Sequence, residues 1–423
     1  MNKYLSKMLI ISLVFFLALS VIGFGVCDKV FAEKVKIEFL QWWGAEMPEF
    51  DEIISQFNEE HPKIEVVPLT VPFSQMRQQI ISTHSVGQIA DVIGLNMPWT
   101  QEFIELAILE PLEHYLINEK TLNINNLVQA PMEKINGHSW MVPVTAHPFL
   151  FYFNKALFKE AGLEPKAPKT WDELKDYAIK LTKPEKNQYG YSMCMSLQGA
   201  CNGPIIEMYP LLYTAGGRTV KNGKPNLTSP EVIETLEYIN ELESLGVIAP
   251  GTLSKQEQQK IEEFANGRVA MMIDSMPIIT VLQTKNPDLD FGVAPVPIKI
   301  KMAARNHGWE IGIARKSKNK EAAWTFISWL VSAKINGKFA EKAGQLPGNL
   351  ASTADFIENN SLIKQAKYIM ENSEMVEELR KTPKATDTWR ALTVEIQSML
   401  SGKQSAEEAV KKAQEKWEKI FNE

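Results

Sequence analysis

QIADVIGLNMPW, residues 88–99, is the stretch on which the reading of the fold turns. Val92 and Ile93 make the apolar run of a buried strand, preceded by Asp91 and followed by Asn96-Met97-Pro98-Trp99. Open α/β sheets place their ligand crevices beyond the carboxyl ends of strands, which is where Asn96 and Trp99 fall. Asn offers a donor and an acceptor, and Trp offers a flat apolar face with one N–H. The pair suits a polar, ring-shaped ligand, and Trp99 alone also suits the core at a strand edge.

Outward from that stretch the pattern alternates. Val35, Ile37 and Phe39 have the period of a strand, and Phe50, Ile53, Ile54 and Phe57 the period of a helix that stops at His61-Pro62. Ile64, Val66 and Pro68 give a second strand, and Met76, Ile80 and Ile81 a second helix. This β-α-β-α-β order predicts a parallel sheet covered by helices. The grammar restarts at Trp140–Val144, followed by the aromatic run Phe149–Phe153 and a helix capped near Asn154. Thr170 with Glu173 three residues on forms a capping box, and Ser229-Pro230 starts another helix. Ser405 to Phe421 reads as an amphipathic helix with a solvated outer face. No repeat and no low-complexity linker separates the halves, so two lobes joined by short strands are expected.

The composition, 423 residues with 45% hydrophobic and 23% charged, is that of a globular chain large enough for more than one core. Lys3 and Lys7 precede an uncharged, mostly apolar run from Met8 to Val26, the pattern of an export signal. Val30-Phe31-Ala32 provides a cleavage site before Glu33; Phe24-Gly25-Val26-Cys27 offers lipidation at Cys27 as an alternative, and an uncleaved anchor is a third. The net charge of −6 and the lack of a dense basic run exclude nucleic acid as the expected partner. After cleavage two cysteines remain, Cys194 and Cys201, spaced for a small disulfide loop or left as two thiols.

Catalytic signatures are missing. There is no G-x-S-x-G, H-E-x-x-H or C-x-x-C, the Gly216–Lys224 segment lacks the spacing of a phosphate loop, and the six histidines show no metal-ligand spacing. No cofactor, metal site or enzymatic activity is expected, although two carboxylates across a cleft would suffice for a glycoside hydrolase. Trp42, Trp43, Trp99, Trp309 and Trp389 sit at strand ends or loops beside small or polar residues, as stacking platforms do, whereas Trp324 and Trp329 read as helix packing.

Six segments, in this order and spacing, carry a resemblance: Phe57–Pro62, Ala90–Ile93, Phe153–Leu163, Thr170–Leu174, Phe264–Met271 and Lys320–Ile327. The chain resembles the extracellular solute-binding proteins of ABC importers, in the family that includes maltodextrin and other sugar binders. The resemblance implies a two-lobed, hinge-closing α/β fold of the periplasmic-binding-protein type, each lobe a mostly parallel sheet flanked by helices. Its expected boundaries are a signal peptide over 1–32, one lobe from 33–145 and 309–345, and a second from 146–308 and 346–423. It implies a carbohydrate ligand, oligosaccharide by preference, membrane permease subunits as partners, a monomer, and an extracellular or cell-surface location. Another polar solute remains the alternative ligand. By the same resemblance Trp42, Trp43 and Glu46 follow the first strand, Asn96 and Trp99 the third, and His147 lies at the first crossover. His307 and Trp309 fall in a ligand-touching loop, and Trp389 resembles a carboxyl-terminal stacking Trp, with a helix anchor as its other reading. Met276-Pro277 stands where sugar binders often carry an aromatic.

Overall fold

A computed structural model describes residues 34–422 except Pro48, 198–202 and 354, and the side chain of Glu46 is not described. The export segment, Cys27 and Cys201 lie outside the described residues. In the first lobe the alternation produces β1 (Val35–Gln41), α1 (Phe50–Glu60), β2 (Ile64–Thr70), α2 (Phe73–Ser85) and β3 (Val92–Leu95). Phe50, Ile53, Ile54 and Phe57 of α1 and Met76 and Ile80 of α2 are the buried positions of their helices, because 3.6-residue spacing puts them on one face. β1 pairs in parallel with β2 and β3.

Two polar residues of the quoted segments prove structural. The Asn58 side chain clamps β2, accepting from Val66 N at 2.7 Å and donating to Val66 O at 3.1 Å. Asp91 accepts from Glu38 N at 3.0 Å and Ser317 Oγ at 2.6 Å, tying β1 to the loop after a later strand.

The chain leaves this lobe through β4 (Val142–Pro143) into β5 (Thr145–Asn154), buried at every position. β5 is the spine of the second sheet. β6 (Tyr189–Tyr191), a hairpin of β7 (Val220–Lys221) and β8 (Lys224–Pro225), β9 (Val269–Ser275), β10 (Phe291–Ala294) and β11 (Ala303–His307) follow. β12 (Glu310–Ile313) returns to the first lobe, and β13 (Leu346–Pro347) and β14 (Glu374–Val376) belong again to the second. The sheet orders are β2-β1-β3-β12-β4 and β14-β11-β5-β9-β6, with β10 and β13 also on β5. Both sheets are more mixed than the mostly parallel expectation: β12 runs antiparallel to β3, because a strand returning from the other lobe enters from the cleft end, and in the second sheet β5 runs antiparallel to β9, β10, β11 and β13.

In the second lobe α3 (Gly203–Thr214), α4 (Pro230–Ser244) and α5 (Glu257–Ala265) cover the sheet. Asn154 caps its helix, accepting from Ala156 N and Leu157 N. Thr170 accepts from Glu173 N, while the Glu173 carboxylate takes the Lys169 N–H, one residue earlier than a capping box requires. The carboxyl-terminal helices, α6 (Ala385–Leu400) and α7 (Ala406–Asn422), pack on each other and on α4. The solvated-face reading of the last helix covers one side only. Trp417 is fully buried and donates its indole N–H to Thr388 O at 2.6 Å.

Three strand crossings join the lobes side by side. Val144 N and Thr145 N both donate to Trp309 O, at 2.9 and 3.1 Å, and Gly348 N donates to Val144 O at 3.0 Å. The Thr145 hydroxyl accepts from Trp309 N and donates to Gln345 Oε1. Gly308 is required here, since a Cβ at that position would lie 2.1 Å from Thr145 O.

Candidate functional site

The carboxyl ends of β1, β2 and β3 and the start of β12 meet at the face of the first lobe that looks toward the second. At the end of β1 the Gln41 amide donates to Thr70 Oγ1 at 2.6 Å and accepts from Gly44 N at 2.8 Å, which fixes the turn that carries Trp42 and Trp43. Phe73 opens α2, Asn96 ends β3, and Met97–Trp99 form one 3-10 turn.

These local choices gather the first-lobe aromatics into one group. Trp42 lies edge-on to Phe73, Trp99 and Trp309 at ring distances of 5.2, 6.0 and 6.2 Å. Phe73 stacks on Trp99 at 5.4 Å, and Trp43 stacks on Trp309 at 5.3 Å with the rings 6° from parallel. Phe73 is 42% exposed whereas Trp99 is 6% exposed, so Phe73 is the open end of the group. The sequence reading missed it, although its place just past a strand end was the available signal. Trp43 is fully buried against Trp309 and supports the group from behind rather than offering a free face. Asn96 is half-buried, its carbonyl accepting from Trp99 N.

Trp389 sits on α6 in the second lobe, largely buried, and shares an apolar cluster with Met97 of the first lobe. The 3-10 turn after β3 therefore meets α6 across the cleft. Trp389 joins none of the first-lobe ring contacts. Met276 is fully buried, so the position that departs from the sugar-binder pattern presents no side chain to solvent. Trp324 and Trp329 anchor their helix as read, donating to Glu119 and Glu60.

His147 and His307 face each other in the β5–β11 register, with Nε2 and Nδ1 at 3.0 Å. Burial, with Arg305 nearby, holds the buried His147 down to about 3, and burial and His147 itself keep His307 well below the usual imidazole value. The pair is neutral and works inside the hinge, one ring donating to the other. A histidine held neutral in the fold but protonated in the unfolded chain makes the unfolded state bind more protons below about pH 6.5, so stability falls as pH falls from there toward 3. For His147 the expected loss at pH 5 is about 2 kcal/mol. Urea melts at pH 7.5 and 5 check it: His147→Gln should show a pH dependence smaller by that amount, and equal slopes would refute the assignment.

A set of buried charges, unmarked by any pattern in the sequence, also spans the cleft. Arg380, in the turn Glu378–Lys381 of the second lobe, contacts Glu310 at the start of β12 and donates to the Pro131 carbonyl. Its guanidinium also donates to Glu377 Oε2, at 2.6 Å through Nη2 and 3.1 Å through Nε, while the Asn306 amide donates to Glu377 Oε1. Burial pushes the Glu310 carboxyl above the usual range, and Arg380 pulls it back. Glu310 Oε2, Asn306 Oδ1 and His147 Nδ1 have no hydrogen-bond partner. Unsatisfied buried acceptors cost about 1–3 kcal/mol each.

A cavity of about 890 Å³ lies between residues 128–133 and the β7–β8 hairpin, β14 and the Glu378–Lys381 turn of the second lobe; none of the ligand-binding residues expected from the sequence lines it. Cys194 is buried with its Sγ 3.4 Å from Glu207 Oε1, and its pairing with Cys201 lies outside the described residues.

Known proteins share this architecture. A binding protein of Brucella abortus is 27% identical over 334 residues, covering 78% of this chain and 80% of that one. The maltotriose-binding protein of Pyrococcus abyssi is 25% identical, covering 88% and 79%. The solute-binding protein of an ABC transporter from Thermotoga lettingae, solved with alpha-D-tagatose, superposes with a TM-score of 0.75 at 25% identity over 92% of this chain and 100% of that one. The family described as bacterial extracellular solute-binding protein matches residues 42–337. With most of its length inside that match and three strands joining its two lobes, the chain belongs to the bacterial extracellular solute-binding protein family.

Proposed function

We propose that this chain captures a carbohydrate in the cleft between its lobes and delivers it to a membrane permease, as a binding protein without catalysis. The observation that carries the reading is the joined aromatic group of Trp42, Phe73, Trp99 and Trp309 at the carboxyl ends of the first-lobe strands. Such rings stack on the apolar faces of sugars. The ligands of the relatives, maltotriose and alpha-D-tagatose, support the same class. A phosphorylated ligand is disfavoured at Arg380, whose charge is already met by two glutamates.

The protein acts outside the cytoplasm as a monomer, released after Ala32 in preference to lipidation at Cys27 or retention as an anchor. Ligand bridging both lobes favours the closed form through its differential affinity for it. A thermal-shift screen of mono- and oligosaccharides tests the function, since a ligand that binds only the folded chain raises its midpoint. With the identified sugar, Trp99→Ala should lose about 1–3 kcal/mol of binding by calorimetry, and because the ring is largely buried it should also melt earlier than the parent. Failure of every sugar to shift the midpoint, or parent-like binding by Trp99→Ala and Trp42→Ala together, would remove this reading.

A further inference from the structure

Four cationic side chains are buried among the described residues: Lys255, Lys260, Arg305 and Arg380. Three of them meet carboxylates. Lys255 pairs with Glu263 at 2.8 Å, Lys260 with Glu207 at 2.8 Å, and Arg380 with Glu310 and Glu377. Arg305, on β11, makes no ion pair and no side-chain hydrogen bond among the described residues. Its guanidinium carbon stands over the Phe149 ring, 4.5 Å from the ring centre. A ring attracts the cation but leaves its five N–H donors without acceptors.

Arg305 is still charged. Burial pulls its pKa down to about 10, against the opposing pull of Tyr213, Glu377, Tyr209 and Glu257, so at neutral pH the guanidinium keeps its proton. Glu377 is not free to pair with it, because Asn306 holds one of its oxygens and Arg380 the other. Nor is the guanidinium sealed in. The enclosed polar atoms that lack partners include Asn306 Oδ1 and His147 Nδ1 but no atom of Arg305. Its donors therefore open on the 4% of the residue that remains exposed. Three residues further on, the chain reaches the hinge at Gly308, and Phe149 belongs to the apolar cluster that Met97 of the first lobe enters. Arg305 thus stands at the cleft side of the second lobe.

We propose that Arg305 anchors a carboxylate of the ligand, which makes that ligand an acidic saccharide: a hexuronate or an oligomer containing one. This deepens the carbohydrate reading and rests on it. A planar guanidinium donates two parallel N–H bonds to a carboxylate, and a desolvated charge gains far more from an anion than from a neutral hydroxyl. Glu377 and Glu257 act on the same guanidinium, so one added negative charge suits the place better than the nearly two of a phosphate monoester.

The test compares each acid with its own methyl ester, which keeps the ring and hydroxyls and removes only the charge. Galacturonate, glucuronate and their dimers and trimers, with the matching esters, are titrated calorimetrically into the exported protein at neutral pH. Galactose, glucose, maltotriose and glucose 6-phosphate run beside them. One of the acids should bind saturably, with its ester weaker by about tenfold or more. Arg305→Met, which has no ion pair to break, should bring that acid down to the level of its ester and leave the ester unchanged. The comparison of acid with ester on the parent protein needs no variant and decides by itself should Arg305→Met fold poorly. Equal binding of acid and ester, a preference for glucose 6-phosphate, or an acid preference that survives in folded Arg305→Met overturns the proposal. Binding of a neutral sugar without any acid overturns it while the carbohydrate reading stands, and silence of every sugar removes both.

Discussion

Arg380→Met should cost about 3–5 kcal/mol of folding free energy, the usual result of removing one partner from a buried ion pair and leaving the other charge uncompensated. Both carboxylates that Arg380 holds, Glu310 and Glu377, are almost wholly buried, and the Pro131 carbonyl loses its donor as well. The deficit has a predictable sign with pH. Burial already pushes the Glu310 carboxyl upward and Arg380 opposes that push, so without Arg380 the proton binds more tightly in the fold. A carboxyl whose folded-state pKa is raised destabilises progressively as pH climbs from the unfolded value through the folded one. Urea melts should therefore show the largest gap between variant and parent near pH 8 and a smaller one near pH 5. Adding Glu310→Gln should recover part of the loss. Because Arg380 and Glu310 belong to different lobes, the variant should also be more extended on average in solution scattering. A deficit below about 1 kcal/mol at pH 8 would show that the pair is solvated in solution.

A loss of similar size is expected from Lys260→Met, entirely within the second lobe. Lys260 on α5 is fully buried and donates to Glu207 Oε1 at 2.8 Å and Ile273 O at 2.7 Å, with Asp274 Oδ2 at 3.2 Å. Burial works against its charge, but Asp274 and Glu207 outweigh that and raise its pKa well above the ordinary value. Methionine fills nearly the same volume, so the expected cost of about 3–5 kcal/mol or more comes from the two stranded carboxyls rather than from a hole. Denaturant melts measure it. Glu207, already pushed up by burial, takes a proton more readily once Lys260 is gone, so the loss should shrink on acidification. The sugar affinity of the surviving folded fraction should match the parent's, because the aromatic group stands on the other lobe. A stability change under about 1 kcal/mol, or a melt independent of pH relative to the parent, would contradict the assignment.

The elements that were legible in sequence are those in which short-range periodicity and tertiary burial agree. Phe50, Ile53, Ile54 and Phe57 could only face one way on a helix, and Val92–Leu95, apolar throughout, could only be a strand covered on both sides. Asn154 and Thr170 announced their helices because a cap acts on backbone amides two or three residues away. Trp42, Trp43, Trp99 and Trp309 fall at strand ends as the same local logic has it, whereas Trp389, read as a strand-end or loop residue, lies inside α6. Whether a ring stacks on another ring or stands open was not local. Trp43 is covered by Trp309, which is 266 positions distant in the chain, and the exposed end of the group turned out to be Phe73.

The sequence by itself determined the β-α-β alternation, the helix starts, the restart that makes a second lobe and the strand-end position of the aromatics, since each depends on neighbours within about one or two turns of chain. Only the tertiary structure decided the charges. Lys260 lies in the polar run Gln256–Glu263 and Arg380 in the charged run Glu377–Lys381, and neither run marks a buried position. What makes them interior is the arrival of Glu207, Asp274 and Glu310 from elsewhere in the chain. A buried charge is tolerated only where an opposite charge meets it in space, and pairing of that kind leaves no periodic trace in the sequence.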